Sequence, residues 1–179
     1  MVVDQNFLKV KKYFLLVIFF LLFASKSYSN NYTFTKIIEL DEPWGSSFIN
    51  NDEIIITEKS GKIKIVNIIS KEVTEIKHNL NFLEVGQGGL LDIIHQDNAL
   101  WISYSEDRGN LKTSTSIAKA QLNKQELNFK NIFQANPPID SGYHFGSRLA
   151  IKDNYIYASA GERGQGMIAQ DPTKHPGSI

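Results

Sequence analysis

Two segments 57 residues apart carry the side chains best suited to chemistry. One is Gly86-Gln87-Gly88-Gly89-Leu90-Leu91-Asp92. The other is Tyr143-His144-Phe145-Gly146-Ser147-Arg148-Leu149, followed by Ala160-Gly161-Glu162-Arg163-Gly164 and Ala169-Gln170-Asp171. An imidazole is the side chain suited to proton exchange near neutral pH, so His144 can take a proton from a hydroxyl. The Gln87 amide offers both a donor and an acceptor, and its flanking glycines permit positive φ and close approach of backbone or ligand. The Glu162 carboxylate, just past an apolar strand, can orient a nearby imidazole or pair with Arg163. Each residue also has a plain structural reading: His144 as a satisfied core or loop residue, Gln87 as an exposed amide on a glycine turn, Glu162 as a solvated turn charge. Asp92, between Leu91 and Ile93, needs partners if buried, and reads as a backbone cap or the partner of a cation. Asp171 and His175 read as loop-ordering residues. His78, His95, His144 and His175 are too scattered for a metal site. No Gly-x-Ser-x-Gly elbow is present, and no Lys-Ser/Thr follows the glycines of Gln87 to make a phosphate loop.

The elements that must position these groups are strands. Past residue 32 the chain alternates short runs rich in Ile, Val, Tyr, Phe and Thr with Asn, Asp, Gly and Ser, which is strand-and-turn texture. Strands are expected at Phe34–Leu40, Ser47–Asn50, Glu53–Glu58, Ile63–Ile68, Val73–Lys77, Leu90–His95, Leu100–Tyr104, Thr115–Gln121, Asn128–Phe133, Arg148–Lys152 and Tyr155–Ala160. No stretch holds a 3.6-residue apolar period long enough for a major helix. Three hairpins share one pattern of apolar end, polar turn and apolar run closing on a hydroxyl: Ile49 to Thr57, Ile94 to Ser103 and Ile151 to Ser159. The closing hydroxyls lie 46 and 56 residues apart, and glycine precedes each hairpin at Gly45, Gly88-Gly89 and Gly146. A four-strand unit recurring at about 40–50 residues is the mark of a β-propeller, so the fold class is all-β. Three unrelated hairpins of a sandwich are the competing arrangement.

The first 29 residues read as a signal peptide, and residues 30–179 as the N-terminal part of the propeller. Lys9, Lys11 and Lys12 precede an apolar run of twelve, Tyr13 to Ala24, and Ser27-Tyr28-Ser29 offers small residues for cleavage. Twelve residues reach only about 18 Å as a helix, short of the roughly 30 Å core of a bilayer, so no stable membrane insertion is expected after cleavage. The implied location is periplasmic or secreted. The leader holds four of the 19 basic and one of the 19 acidic residues, which leaves 15 against 18, a net charge of −3. Nothing in that balance attracts nucleic acid. The chain has no cysteine, which removes disulfides, thiolate metal sites and thiol catalysis.

From about Ile38 to Ile179 the chain resembles the quinoprotein glucose/sorbosone dehydrogenases, among them aldose sugar dehydrogenases that use pyrroloquinoline quinone. The resemblance rests on Pro43-Trp44-Gly45, Thr57-Glu58-Lys59-x-Gly61, Gly86 to Asp92, Ser103-Tyr104-Ser105-Glu106, His144-Phe145-Gly146-x-Arg148-Leu149, Gly161 to Gly164 and Ala169-Gln170-Asp171, in register. It implies a six-bladed propeller, of which about three blades fall within these 179 residues. It implies that His144 is the base that takes the proton of a sugar's anomeric hydroxyl while hydride passes to the quinone, with Gln87 and Glu162 lining the same site. A sugar substrate, a respiratory electron acceptor, and pyrroloquinoline quinone with calcium as cofactors follow from the same resemblance. Ser147 stands where the family more often has Gly or Ala. The family's cationic clamp on the quinone and its calcium-binding backbone lie in later blades. The chain therefore reads as an N-terminal fragment, inactive alone. A non-catalytic periplasmic propeller that binds a ligand or partner is the alternative, and a calcium-dependent lactone hydrolase on a similar scaffold a weaker one.

Overall fold

The structure is a computed structural model and describes residues 32–179. The signal-peptide expectation at residues 1–29 lies outside the described residues. From Lys36 onward the chain forms one compact unit.

Eleven strands fall into three sheets. The first sheet runs β1 (Pro43–Phe48), β2 (Glu53–Glu58), β3 (Ile63–Asn67) and β4 (Val73–His78), each antiparallel to the last. The second runs β5 (Leu90–Gln96), β6 (Ala99–Asp107), β7 (Thr113–Gln121) and β9 (Lys130–Gln134), also antiparallel. The third contains β10 (Gly146–Lys152) and β11 (Tyr155–Ala160). The first strand of each sheet packs beside the next, with β5 between β1 and β10. These are consecutive blades of a propeller, and no sheet closes on itself. The one helical segment among the described residues is a 3₁₀ turn at Gly166–Gln170.

The sheets form because Ile and Leu alternate onto shared faces. Ile55, Ile63, Ile65 and Ile76 of the first sheet meet Leu90, Ile93, Leu100 and Ile102 of the second in one buried cluster. A short strand, β8 (Glu126–Leu127), leaves the second sheet to pair in parallel with β4. Asn79 fastens that crossing: its Nδ2 donates to the Phe129 carbonyl at 3.1 Å, and its Oδ1 accepts from the Phe129 amide at 2.8 Å. The hairpins of the second and third sheets turn on Asp97-Asn98 and Asp153-Asn154, all four at positive φ, as two-residue I′ turns require.

The closing hydroxyls read from the sequence bind bulge amides, and two of them also latch one sheet to the next. Each of the three innermost strands has an irregularity in its register, at Pro43/Gly45, Leu90/Ile93 and Gly146/Leu149. A bulge leaves an amide outside the ladder. Thr57 Oγ1 accepts from the Gly45 amide at 3.0 Å and donates to the Leu91 carbonyl of the next sheet at 2.5 Å. Ser103 Oγ accepts from the Asp92 amide at 2.9 Å and donates to the Ser147 carbonyl of the next sheet at 2.6 Å. Ser159 Oγ accepts from the Arg148 amide at 3.0 Å in the same position of the third sheet.

One expected strand is absent. Phe34–Leu40 pairs with no strand, and Phe34 is 95% exposed. Conversely β1 begins at Pro43 rather than Ser47, β6 extends to Asp107, and the strand expected at Asn128–Phe133 is β9, shifted to Lys130–Gln134, with the two-residue β8 just before it.

Candidate active site

The two glycine-bearing segments cross as backbones in contact. At Gly86, φ is +56°, and a Cβ there would lie 2.4 Å from the Gly142 carbonyl oxygen. The Gln87 amide donates to that same carbonyl at 2.7 Å. The crossing lays the Gln87 side chain along the next loop, where its Oε1 accepts from the His144 amide at 2.8 Å. His144 itself has φ +50°, a left-handed backbone that a non-glycine residue holds only when its surroundings fix it. Its carbonyl is seated against Gly161, where a Cβ would lie 1.8 Å from the oxygen.

Glu162 follows Gly161 and turns toward the imidazole. Its Oε1 is hydrogen-bonded to His144 Nδ1 and accepts from the Gly164 amide at 3.1 Å. The hydrogen bond with His144 chiefly holds the Glu162 carboxyl below the ordinary glutamate range, against the opposing effect of desolvation. An ionised carboxylate can only accept here, so Nδ1 is the donor; in a neutral imidazole the lone pair then lies on Nε2, which has no partner among the described residues. The imidazole is 54% exposed, and Tyr143 stands beside it at a centroid distance of 6.3 Å. His144, Gln87 and Glu162 therefore come together on one open surface at the ends of β10 and β11. A hollow of about 330 Å³ between Trp101, Lys119 and Tyr155 lies at the other end of these strands and shares no residue with the cluster.

The neighbouring charged residues are structural. Asp92 accepts from the Leu149 amide at 2.9 Å and from Arg148 Nη1 at 3.2 Å, so it both caps backbone and pairs with a cation. Arg163, the alternative partner for Glu162, instead points inward. Asp171 orders its loop through the Thr173 amide at 2.9 Å, and His175 Nδ1 accepts from the Asn136 amide at 2.9 Å. The reach of Arg163 and the crossing at Gly142 were not legible in the sequence; two adjacent charges in a glycine turn read as solvated.

The donor chemistry bears on cofactors. No cluster of three or more His, Cys, Asp or Glu residues that could hold a metal occurs among the described residues. Calcium takes six to eight oxygens, so this part of the chain does not fit a calcium seat. The Arg163 guanidinium is not available to an anion, because it is committed to carbonyl oxygens.

The strands and the pair they carry belong to a partial β-propeller. The family model described as Glucose / Sorbosone dehydrogenase matches residues 40–179, and the chain belongs to that family. It is 28% identical over 151 residues to aldose sugar dehydrogenase YliI of Escherichia coli, covering 79% of this chain and 41% of that protein. It is 29% identical to the crystal structure of the aldose sugar dehydrogenase from Escherichia coli in its apo form, with a TM-score of 0.71 over 77% of this chain and 43% of that one. The PQQ-bound aldose sugar dehydrogenase of Streptomyces coelicolor shares the fold at 21% identity, with a TM-score of 0.67 over 78% of this chain and 43% of that one. The chain thus spans about two fifths of the length of the Escherichia coli enzyme.

Proposed function

We propose that this chain supplies the proton-handling part of a sugar dehydrogenase that oxidises an aldose at its anomeric hydroxyl to the lactone. His144 Nε2 takes the hydroxyl proton. Glu162 holds Nδ1–H, fixes the tautomer and stabilises the imidazolium that forms. Gln87 sets the backbone of His144 through Oε1, and its amide Nε2, without a partner among the described residues, is free to donate to a sugar oxygen. The anomeric hydrogen leaves as hydride, two electrons with one proton. Pyrroloquinoline quinone is the acceptor this reading assigns, with calcium and a respiratory partner. On this reading the seat for the quinone and calcium lies outside the described residues, and these residues alone do not turn over. The leader assigns the protein to the periplasm or the exterior. No helix among the described residues is long and apolar enough to cross a membrane.

The observation that carries the reading is the hydrogen bond between His144 Nδ1 and an ionised Glu162, which leaves an exposed nitrogen base pointing away from its carboxylate. The test is dye reduction with aldoses by the protein as its gene encodes it, supplied with quinone and calcium. His144→Ala should lower turnover about 10²–10⁴-fold and leave quinone binding intact. Unchanged turnover contradicts the assignment.

A further inference from the structure

The side chain of Arg163 is buried, 3% exposed, directly beneath the loop that carries His144. No acidic side chain lies within ion-pair distance among the described residues. Its Nε donates to the Tyr143 carbonyl at 2.9 Å, its Nη1 to the Thr113 carbonyl at 3.2 Å, and its Nη2 to Thr113 Oγ1 at 2.7 Å and to the Ser141 carbonyl. The guanidinium lies 3.5 Å from the centroid of the Phe145 ring. A buried charge is costly unless its donors are satisfied, and here backbone dipoles, one hydroxyl and an aromatic face do so without a counterion. Burial pushes the guanidinium down to about 10, so it stays charged at neutral pH.

The atoms it grips decide what it does. Ser141, Tyr143 and Phe145 flank Gly142 and His144 on both sides. The Gly142 carbonyl and the His144 amide are taken by Gln87 from the neighbouring loop. Arg163 therefore completes a set of ties that leaves the loop one conformation, with His144 at φ +50°. Arg163 itself sits at φ +58°, which sends its side chain inward while that of the preceding residue, Glu162, faces the imidazole. One turn thus holds the histidine twice, by its ring from outside and by its peptides from beneath.

We propose that Arg163 is a positioning residue, which sets the left-handed backbone of His144 through the carbonyls of Ser141 and Tyr143 and so aligns the imidazole with Glu162. Its bearing on turnover rests on the sugar-oxidation reading above; its bearing on geometry does not. A planar fork is what the three carbonyls select, so Lys is a poor substitute.

The experiment is an NMR titration of the Glu162 carboxyl carbon in the unaltered protein, Arg163→Met and Arg163→Lys, with Ile55→Ala in the distant first sheet as a control for lost stability. In the unaltered protein Glu162 should titrate below the ordinary glutamate range. Arg163→Met should return it to that range, Arg163→Lys should recover the depression only in part, and Ile55→Ala should leave it unchanged. A Glu162 titration unaltered in Arg163→Met, or a full recovery with Lys, overturns the proposal and makes Arg163 a packing residue. If Arg163→Met does not fold, Arg163→Lys decides alone: a Glu162 titration unchanged from the parent overturns the proposal, and one moved upward supports it. In dye reduction Arg163→Lys should lower kcat at least tenfold with KM for the sugar within about twofold. Should His144→Ala retain turnover, the sugar reading fails while the Glu162 titration still decides the role of Arg163.

Discussion

Thr57 separates two forces that burial alone confounds. Its side chain is fully buried between the first and second sheets, and its Oγ1 bonds the Gly45 amide at 3.0 Å and the Leu91 carbonyl at 2.5 Å. Thr57→Val keeps the shape and deletes the hydroxyl. Two buried backbone groups then lose a partner, at about 1–3 kcal/mol each, so the variant should be destabilised by about 2–6 kcal/mol. Thr57→Ser keeps the hydroxyl and deletes one methyl, which costs about 1 kcal/mol. If burial governed the site, the order would reverse, because valine is the more apolar residue. The assay is urea unfolding followed by the fluorescence of Trp44 and Trp101, which lie on β1 and β6. A Thr57→Val loss below about 1 kcal/mol, or one smaller than that of Thr57→Ser, refutes the latch as a stabilising contact.

Two further outcomes follow from named contacts. Glu58 is fully buried, and its Oε1 accepts from Lys64 Nζ at 2.7 Å and from the Asp41 amide at 2.9 Å. Burial pushes its carboxyl up, but Lys64 and the amide outweigh that and hold it below the ordinary value of 4.5. The pair therefore contributes its full stability above that value and loses it as the pH falls through the depressed one. Lys64→Met should cost about 3–5 kcal/mol at neutral pH, a gap that narrows on acidification as Glu58 is protonated; urea midpoints measured across the acid range check both. Gly161→Ala should lower turnover about 10²-fold or more, since its methyl would meet the His144 carbonyl, whereas Gly166→Ala, with nothing within 4 Å, should change neither turnover nor stability.

Much of the scaffold was legible because one device repeats. The hydroxyls of Thr57, Ser103 and Ser159 recur at the spacing of the sheets, and each binds an amide freed by a bulge. Phe34–Leu40 misled because aromatic and β-branched texture signals a strand only where a partner strand exists. Pro43-Trp44-Gly45 fell outside the strand expected from Ser47, yet Gly45 pairs within β1; a Cβ there would lie 2.5 Å from the Leu91 carbonyl oxygen, so only a bare backbone fits between the sheets. β8 rests on a pairing between Lys77–His78 and Glu126–Leu127, far apart in sequence and two residues long, which no local pattern encodes. In the site, His144, Gln87 and Glu162 stood out by residue type beside glycine. Arg163 did not, because its inward course depends on a positive φ that no residue type at that position announces.

The position of the site follows from the same interlock that holds the sheets. Ser103 Oγ donates to the carbonyl of Ser147, three residues past His144, and Asp92 takes the Leu149 amide and the Arg148 guanidinium from the same strand. Both anchors rise from the second sheet, whose entering turn carries Gln87. The separation between Gln87 and His144 is therefore set by contacts lying one turn below them, and Ser147, buried at φ +80°, is the hinge between anchor and loop. A residue in that conformation is strained unless it is glycine. Serine is kept in place because its hydroxyl bonds the Phe145 carbonyl at 3.2 Å, the same oxygen that accepts from Thr115 Oγ1 at 2.8 Å and the Gly161 amide at 3.0 Å. Three donors converging on the carbonyl next to His144 leave the loop little freedom to drift, so the precision of the imidazole is a property of the inter-sheet interface rather than of the loop's own sequence.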